Sequence, residues 1–349
     1  MGRKIREIIA GIFIAIVMAN APVAAQDSQV TLRLAHWVPP GNTNDIGLHI
    51  WADAVTEASG GSIQFQFFPG QQLGKAADHY NMARDGISDL SWIAVSYSPG
   101  AFPIAGVTEL PFFVGDAVAG SVEISDWYEE YAPTEMPDVK FCMMYVSTPG
   151  SIHSTVPIRV PDDLKGKRVR PVNERLSRLV STLGGQVFQV TVPEMRDGLE
   201  RGLFDTTFFR WKSIVDFHLT ELLTYHLDMP MYVSHFALVM NRSAYERLSD
   251  DQKAVIDDHC NGAWAGKMAA NWAGEEAEDG GRDAYYGQES QTVYAPSKDE
   301  IRQWKDAAAP LTEQWISEVA ASGHTRKDPQ VVLEELRNRL GSAGALVED

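Results

Sequence analysis

The chain has 349 residues, 44% of them apolar and 10% aromatic, and its 47 Asp and Glu against 30 Lys and Arg give a formal net charge of −17. That length is about twice the ~150 residues of one domain, which leaves room for two lobes with their own cores, and the aromatic content excludes intrinsic disorder. The acid excess excludes DNA or RNA as a main partner, because nucleic-acid binding rests on Lys and Arg clustered against phosphates.

The N-terminus reads as an export signal. Arg3, Lys4 and Arg6 precede an apolar run from Ile8 to Met18, and Val23-Ala24-Ala25 supplies small residues for cleavage before Gln26. The run is well short of the ~20 residues that span a bilayer as a helix. Residues 1–25 are therefore expected to be a signal peptide cleaved after Ala25, leaving an exported, soluble protein.

After it, strands and helices alternate. Val30–His36, Ser62–Phe68 and Asp89–Val95 have strand composition, with a helix capped by Asn44 and a second over Lys75–Asp85 between them. The pattern restarts with strands at Lys140–Val146, Lys167–Pro171, Gln186–Val192 and Phe204–Phe209. Helices are expected at Glu174–Leu183, Glu194–Arg201 and Trp211–Leu223, followed by a strand over Tyr232–Asn241. Ser249-Asp250-Asp251-Gln252 is an N-cap signature for a long, weakly interrupted helical run from Asp251 to about Tyr286; Val293–Pro296 reads as extended, and Ser297–Glu318 as a last helix. Two successive α/β units predict two similar lobes with parallel strands and helical crossovers.

Catalytic signatures are missing: no G-x-S-x-G, H-E-x-x-H, Walker-type or G-x-G-x-x-G motif occurs. The nine histidines are scattered without metal-like spacing, so no metal, cofactor or enzymatic activity is expected. Cys142 reads as a buried thiol in an apolar strand. A bond to Cys260 is permitted in an oxidising compartment, but nothing in the sequence brings the two together.

Four segments carry a resemblance. The start LRLAHWVPPGN, the turn Phe68–Gly74 (FPGQQLG), the run Glu109–Phe112 (ELPF) and Asp163–Pro171 (DLKGKRVRP) are similar to the solute-binding subunits of tripartite ATP-independent periplasmic (TRAP) transporters, a DctP-like family. The resemblance implies an α/β, two-lobed periplasmic binding protein fold with a β-strand hinge and a long helix spanning both lobes, which the run from Asp251 would supply. It implies a periplasmic location, a small carboxylate ligand and delivery to TRAP membrane permease subunits. Lobe I is expected from residues 26–148 with 236–275 and lobe II from 149–235 with 276–349, in a monomer.

In the family, the motif Gly166–Pro171 ends in an arginine that grips the substrate carboxylate, which makes Arg170 the first site residue and Arg168 a weaker candidate. A planar guanidinium offers a carboxylate two parallel N–H donors and stays charged when desolvated. Sugar-acid members carry a polar asparagine where this chain has Phe209, and a second arginine near Pro149-Gly150 is replaced. Sialic acid and uronates are therefore disfavoured. The aromatics at strand ends, Trp37, Trp92, Phe209, Trp211, Tyr232 and Tyr97, complete the expected site. Arginine facing aromatic rings suits a zwitterionic onium carboxylate such as dimethylsulfoniopropionate or a betaine, the favoured reading, or else an aromatic or branched 2-oxo carboxylate. A sensory ligand-binding protein and an extracytoplasmic hydrolase are the rival functions.

Overall fold

The computed structural model describes residues 28–278 and 281–347; the expected signal peptide lies outside them. Its strands are β1 (Val30–Ala35), β2 (Ile63–Phe68), β3 (Leu90–Ala94), β4 (Val139–Val146), β5 (Gly150–Ser154), β6 (Arg168–Arg170), β7 (Gln186–Val187), β8 (Thr206–Phe209), β9 (Tyr225–Tyr232), β10 (His235–Asn241) and β11 (Thr292–Tyr294). They form two sheets, each the centre of a lobe, in the orders β2-β1-β3-β10-β4 and β11-β9-β5-β8-β6-β7. In the first, β1 pairs in parallel with β2 and β3, while β10 runs antiparallel between β3 and β4. The parallel β1–β2 pair is joined by the helix Thr43–Ala58, whose Leu48, Trp51, Ala52 and Val55 are buried along one stripe. Asn42, not Asn44, caps this helix by accepting the Asn44 N–H. All five residues of β3 are buried, as suits a strand covered on both faces.

The chain crosses between the lobes at β4 to β5 and again at β9 to β10. The crossings are tied together: Ser147 N–H donates to Ser234 O at 2.9 Å, and Ser234 N–H to Ser147 Oγ at 3.0 Å. A third connection is the helix Gly262–Glu278, which packs on the helix Ala117–Tyr128 and β4 of one lobe and touches the helix Trp211–Asp216 of the other. The expected long, weakly interrupted helical run from Asp251 to about Tyr286 is therefore corrected to separate helices. A helix over Asp250–Asp258 ends at His259, and Asn261 restarts the next one by accepting the Trp264 N–H at 3.1 Å. Cys260, in the break, is bonded to Cys142 of β4, so the free thiol reading of Cys142 is replaced by a disulfide.

Other expectations shorten. The helix from Trp211 stops at Asp216, because His218 takes a left-handed φ of 54°. The strand from Gln186 ends at Val187, and the last expected helix divides into Lys298–Ala308 and Pro310–Ser322, since Pro310 lacks the N–H that a continuing helix needs. A further helix, Pro329–Ser342, packs back on Ala117–Tyr128. Among the described residues, no helix is long and apolar enough to cross a membrane.

Candidate functional site

Strand ends from both sheets meet around one cavity. Trp37, Val38, Asn42, Trp92 and Tyr97 enter from the first lobe, Arg170, Val192, Phe209, Arg210, Ser213 and Tyr232 from the second, and Trp272 from the helix between them. Ligands of α/β proteins gather at such carboxyl ends of strands. The loop after β1 is held in place by Asp45, which accepts the Gly41 N–H at 2.7 Å and lies 2.9 Å from Nε2 of buried His36. Asp45 also comes within 3.6 Å of His49 Nε2, so these two histidines are less scattered than the sequence suggested. Among the described residues, no group of three or more His, Cys, Asp or Glu is arranged to hold a metal ion.

Arg170 ends β6 with 1% of its surface exposed. Its Nε donates to Val190 O at 3.0 Å, and among the described residues no carboxylate lies within ion-pair distance of it. Burial pulls its pKa below the ordinary arginine value, while the neighbouring Tyr97 and Tyr232 hydroxyls pull the other way. A guanidinium remains charged under such a shift, and a buried charge without a counter-charge is costly. Arg168, two residues earlier and so on the same side of the strand, sits at its exposed end and pairs with Asp205 at 3.1 Å.

Tyr97 links the lobes at this point: its hydroxyl accepts the Val192 N–H at 2.9 Å. The rings then continue as a wall. Trp37 lies 5.8 Å from Tyr97 and stacks on Trp92 at 4.9 Å, and Trp92 stacks on Phe236 at 4.9 Å. Phe209 faces Arg170 from 5.9 Å. Tyr232 packs against Gly150, where an added Cβ would lie 2.7 Å from the tyrosine ring. An arginine at that position has no room; the aromatic ring has taken its space.

Of the seven residues expected from sequence, Arg170, Trp37, Trp92, Phe209, Tyr232 and Tyr97 line this cavity and Trp211 does not. Trp211 opens a helix after the strand end, and its ring is buried between His153, His226 and Tyr285, at 4.8, 5.3 and 5.4 Å. The helical turn instead brings Ser213 and Phe217 to the cavity. Sequence reasoning missed Phe236, Trp272 and Arg210. For Arg210 a signal existed: it directly follows Phe209 at the end of β8.

The charge of the wall follows. Two arginines and no aspartate or glutamate stand among the described lining residues. The Arg210 guanidinium covers the Trp272 ring at 3.9 Å, so that aromatic face is already occupied by a cation.

Comparisons with known proteins agree with this architecture. The family described as bacterial extracellular solute-binding protein, family 7, matches residues 34–318. A TRAP solute-binding protein from Rhodoferax ferrireducens, solved with copurified benzoate, is 27% identical with a TM-score of 0.83, covering 90% of this chain and 99% of its own. A marine metagenome TRAP solute-binding protein specific for aromatic acid ligands, solved with 3-hydroxybenzoate, is 26% identical with a TM-score of 0.83, covering 91% and 99%. A curated solute-binding protein from Albidiferax ferrireducens is 22% identical over 291 residues, 79% of this chain and 84% of that protein. Since the family model covers most of the chain, including strands of both sheets, the chain belongs to bacterial extracellular solute-binding protein family 7, the solute-binding subunits of TRAP transporters.

Proposed function

We propose that this protein captures an aromatic carboxylate in the periplasm and delivers it to TRAP membrane permease subunits. The observation that carries the reading is Arg170, buried in a ring-walled cavity with no carboxylate partner among the described residues. A ligand carboxylate completes that charge, and a flat ring attached to it packs against the stacked Trp37–Trp92 pair and Phe209. The benzoate and 3-hydroxybenzoate held by two structural neighbours support the same ligand class. This reading replaces the onium carboxylate favoured from sequence; a branched 2-oxo acid remains the nearest relative of the proposed ligand. The lobes are taken as residues 26–148 with 236–275 and 149–235 with 276–328, closing about the paired strand crossings; the expected extension of the second lobe to 349 is trimmed because the helix Pro329–Ser342 packs on Ala117–Tyr128 of the first.

The test is a thermal-shift and calorimetry panel on protein unfolded and refolded to strip bound ligand. Benzoates, arylacetates, branched 2-oxo acids, glycine betaine, dimethylsulfoniopropionate and sugar acids make up the panel. A ligand at 100 times its Kd stabilises by ~2.7 kcal/mol, so a true ligand separates clearly from the others. Shifts with aromatic acids are expected. Shifts confined to betaines or to sugar acids would remove the reading.

A further inference from the structure

Tyr97 stands where two spaces meet. It lines the ring-walled cavity and a second space beside it that Asn173, Gln189 and Thr191 make polar, and Arg170 lines both as well. Tyr97 comes from the first lobe, after β3, and its hydrogen-bonding partners come from the second. The phenol oxygen accepts the Val192 N–H at 2.9 Å, and the Arg170 guanidinium bonds the same hydroxyl. A backbone N–H and a guanidinium are donors only, so neither takes the proton that the phenol itself carries. Burial raises the pKa of Tyr97 above the ordinary tyrosine value, which keeps that proton in place at neutral pH. Glu194 acts on Tyr97 as a charge, while its Oε2 accepts Thr191 N–H and Oγ1–H at 3.1 and 2.6 Å. Among the described residues, none of the groups bonded to Tyr97 accepts its proton.

Resting on the aromatic-acid reading above, we infer that Tyr97 donates its hydroxyl proton to the ligand carboxylate while its oxygen holds Val192 of the opposite lobe, so that carboxylate capture and lobe closure are one event. An ionised carboxylate only accepts, and its two oxygens have room for the Arg170 fork and a phenol together. The carboxylate that Arg170 lacks therefore also completes Tyr97. Left without an acceptor, a buried O–H costs free energy. A hydroxyl that donates to an anion becomes a better acceptor in turn, because hydrogen bonds in a chain polarise one another. The bound ligand thus tightens the bond between Tyr97 and Val192, a contact between lobes that exists only when they meet, and this difference favours the closed form.

The experiment is calorimetry of the refolded protein with benzoate, 3-hydroxybenzoate and phenylacetate, on the wild type and on Tyr97→Phe, which keeps a ring beside Trp37 and removes the hydroxyl. Tyr97→Phe is expected to raise Kd about 10- to 100-fold for the acid that the wild type holds best, the range of one hydrogen bond to a charged group. The second readout is amide hydrogen exchange at Val192. In the wild type the acid should slow it, because closure brings the phenol oxygen onto that N–H; in Tyr97→Phe saturated with the same acid, the protection should be lost. A ring that only packs would move neither reading. Melting curves of the unliganded variant check that it is folded; if it is not, exchange at Val192 in the wild type, free and bound, decides. A Kd within about 3-fold of the wild type, equal protection of Val192 with and without ligand, or protection that survives in Tyr97→Phe would overturn this inference and leave the aromatic-acid reading standing. If none of the three acids binds the wild type, the inference falls with the function it rests on.

Discussion

Arg170 was legible in the sequence because a short motif places it, and its chemistry is specific: a fork of donors that cannot discharge when water is removed. Arg170→Ala is expected to weaken binding of the native ligand by at least about 30-fold, since truncating one side of a buried charge pair costs about 2–5 kcal/mol. Arg170→Lys should recover only a small part of the loss, as it offers no bidentate geometry. Calorimetry on both variants checks this, and near-native affinity for Arg170→Ala would remove Arg170 from the site. Gly150 is the complementary case. Its absent side chain gives Tyr232 its position, so Gly150→Ala must displace the ring and should destabilise the fold by about 1–3 kcal/mol while loosening the ligand. A denaturant melt together with a titration reads both effects. Trp211 was misplaced for a reason of geometry. It follows a strand end, but it is already the first residue of a helix, where the direction of a side chain no longer alternates.

Among the elements, those with clean apolar periodicity were readable, and those dictated by tertiary contacts were not. The N-cap signature at Ser249 is formed as expected, with Ser249 and Gln252 exchanging side-chain and backbone bonds. The strand β9, Tyr225–Tyr232, went unread because Asp228 and Pro230 interrupt its composition. Its pairing with β11 ends at Leu227, so Pro230 is not asked to donate to that neighbour. The strand β5 is short and polar, and it is a strand because β8 and β9 flank it. The break before the helix Gly262–Glu278 is likewise a long-range matter: Cys260 is fastened to Cys142 across 118 residues. Closing so long a loop restricts the unfolded chain. Replacing both cysteines with Ala is expected to lower stability by about 2–4 kcal/mol, seen as an earlier urea midpoint with a steeper slope, because the unfolded chain expands once the bond is gone. An unaltered midpoint would mean that packing around the helix start carries the constraint without the bond.

At the scale of the whole molecule, two lobes that meet over a ligand also bury groups away from it. Glu109, from the expected family run ELPF, sits 6% exposed in a second interlobe cavity with Glu174, Arg175, Arg178, His235 and Glu318. Burial raises its pKa to about 8; the Arg175 charge and backbone N–H work against that rise, and Glu174 and Glu318 add to it. His235, 3.5 Å away, is pushed down to about 3 by burial and stays neutral across the range that matters. If separation of the lobes returns Glu109 to water, its value there falls to that of an ordinary carboxyl group near 4.5. The closed form then holds a proton that the open form releases at every pH between the two values. Closure takes up a proton, so ligand affinity is fully present below about 4.5, declines as pH rises, and levels off above about 8. Titrations from pH 5.5 to 8.5 in buffers of different ionisation enthalpy should show proton uptake approaching one near the middle of that range, with affinity falling by up to tenfold per unit. Glu109→Gln keeps the shape of the protonated carboxyl and should flatten the profile. A slope that survives this substitution would assign the linked proton to another group, and the absence of uptake in the wild type would mean that Glu109 is as buried in the open protein as in the closed one.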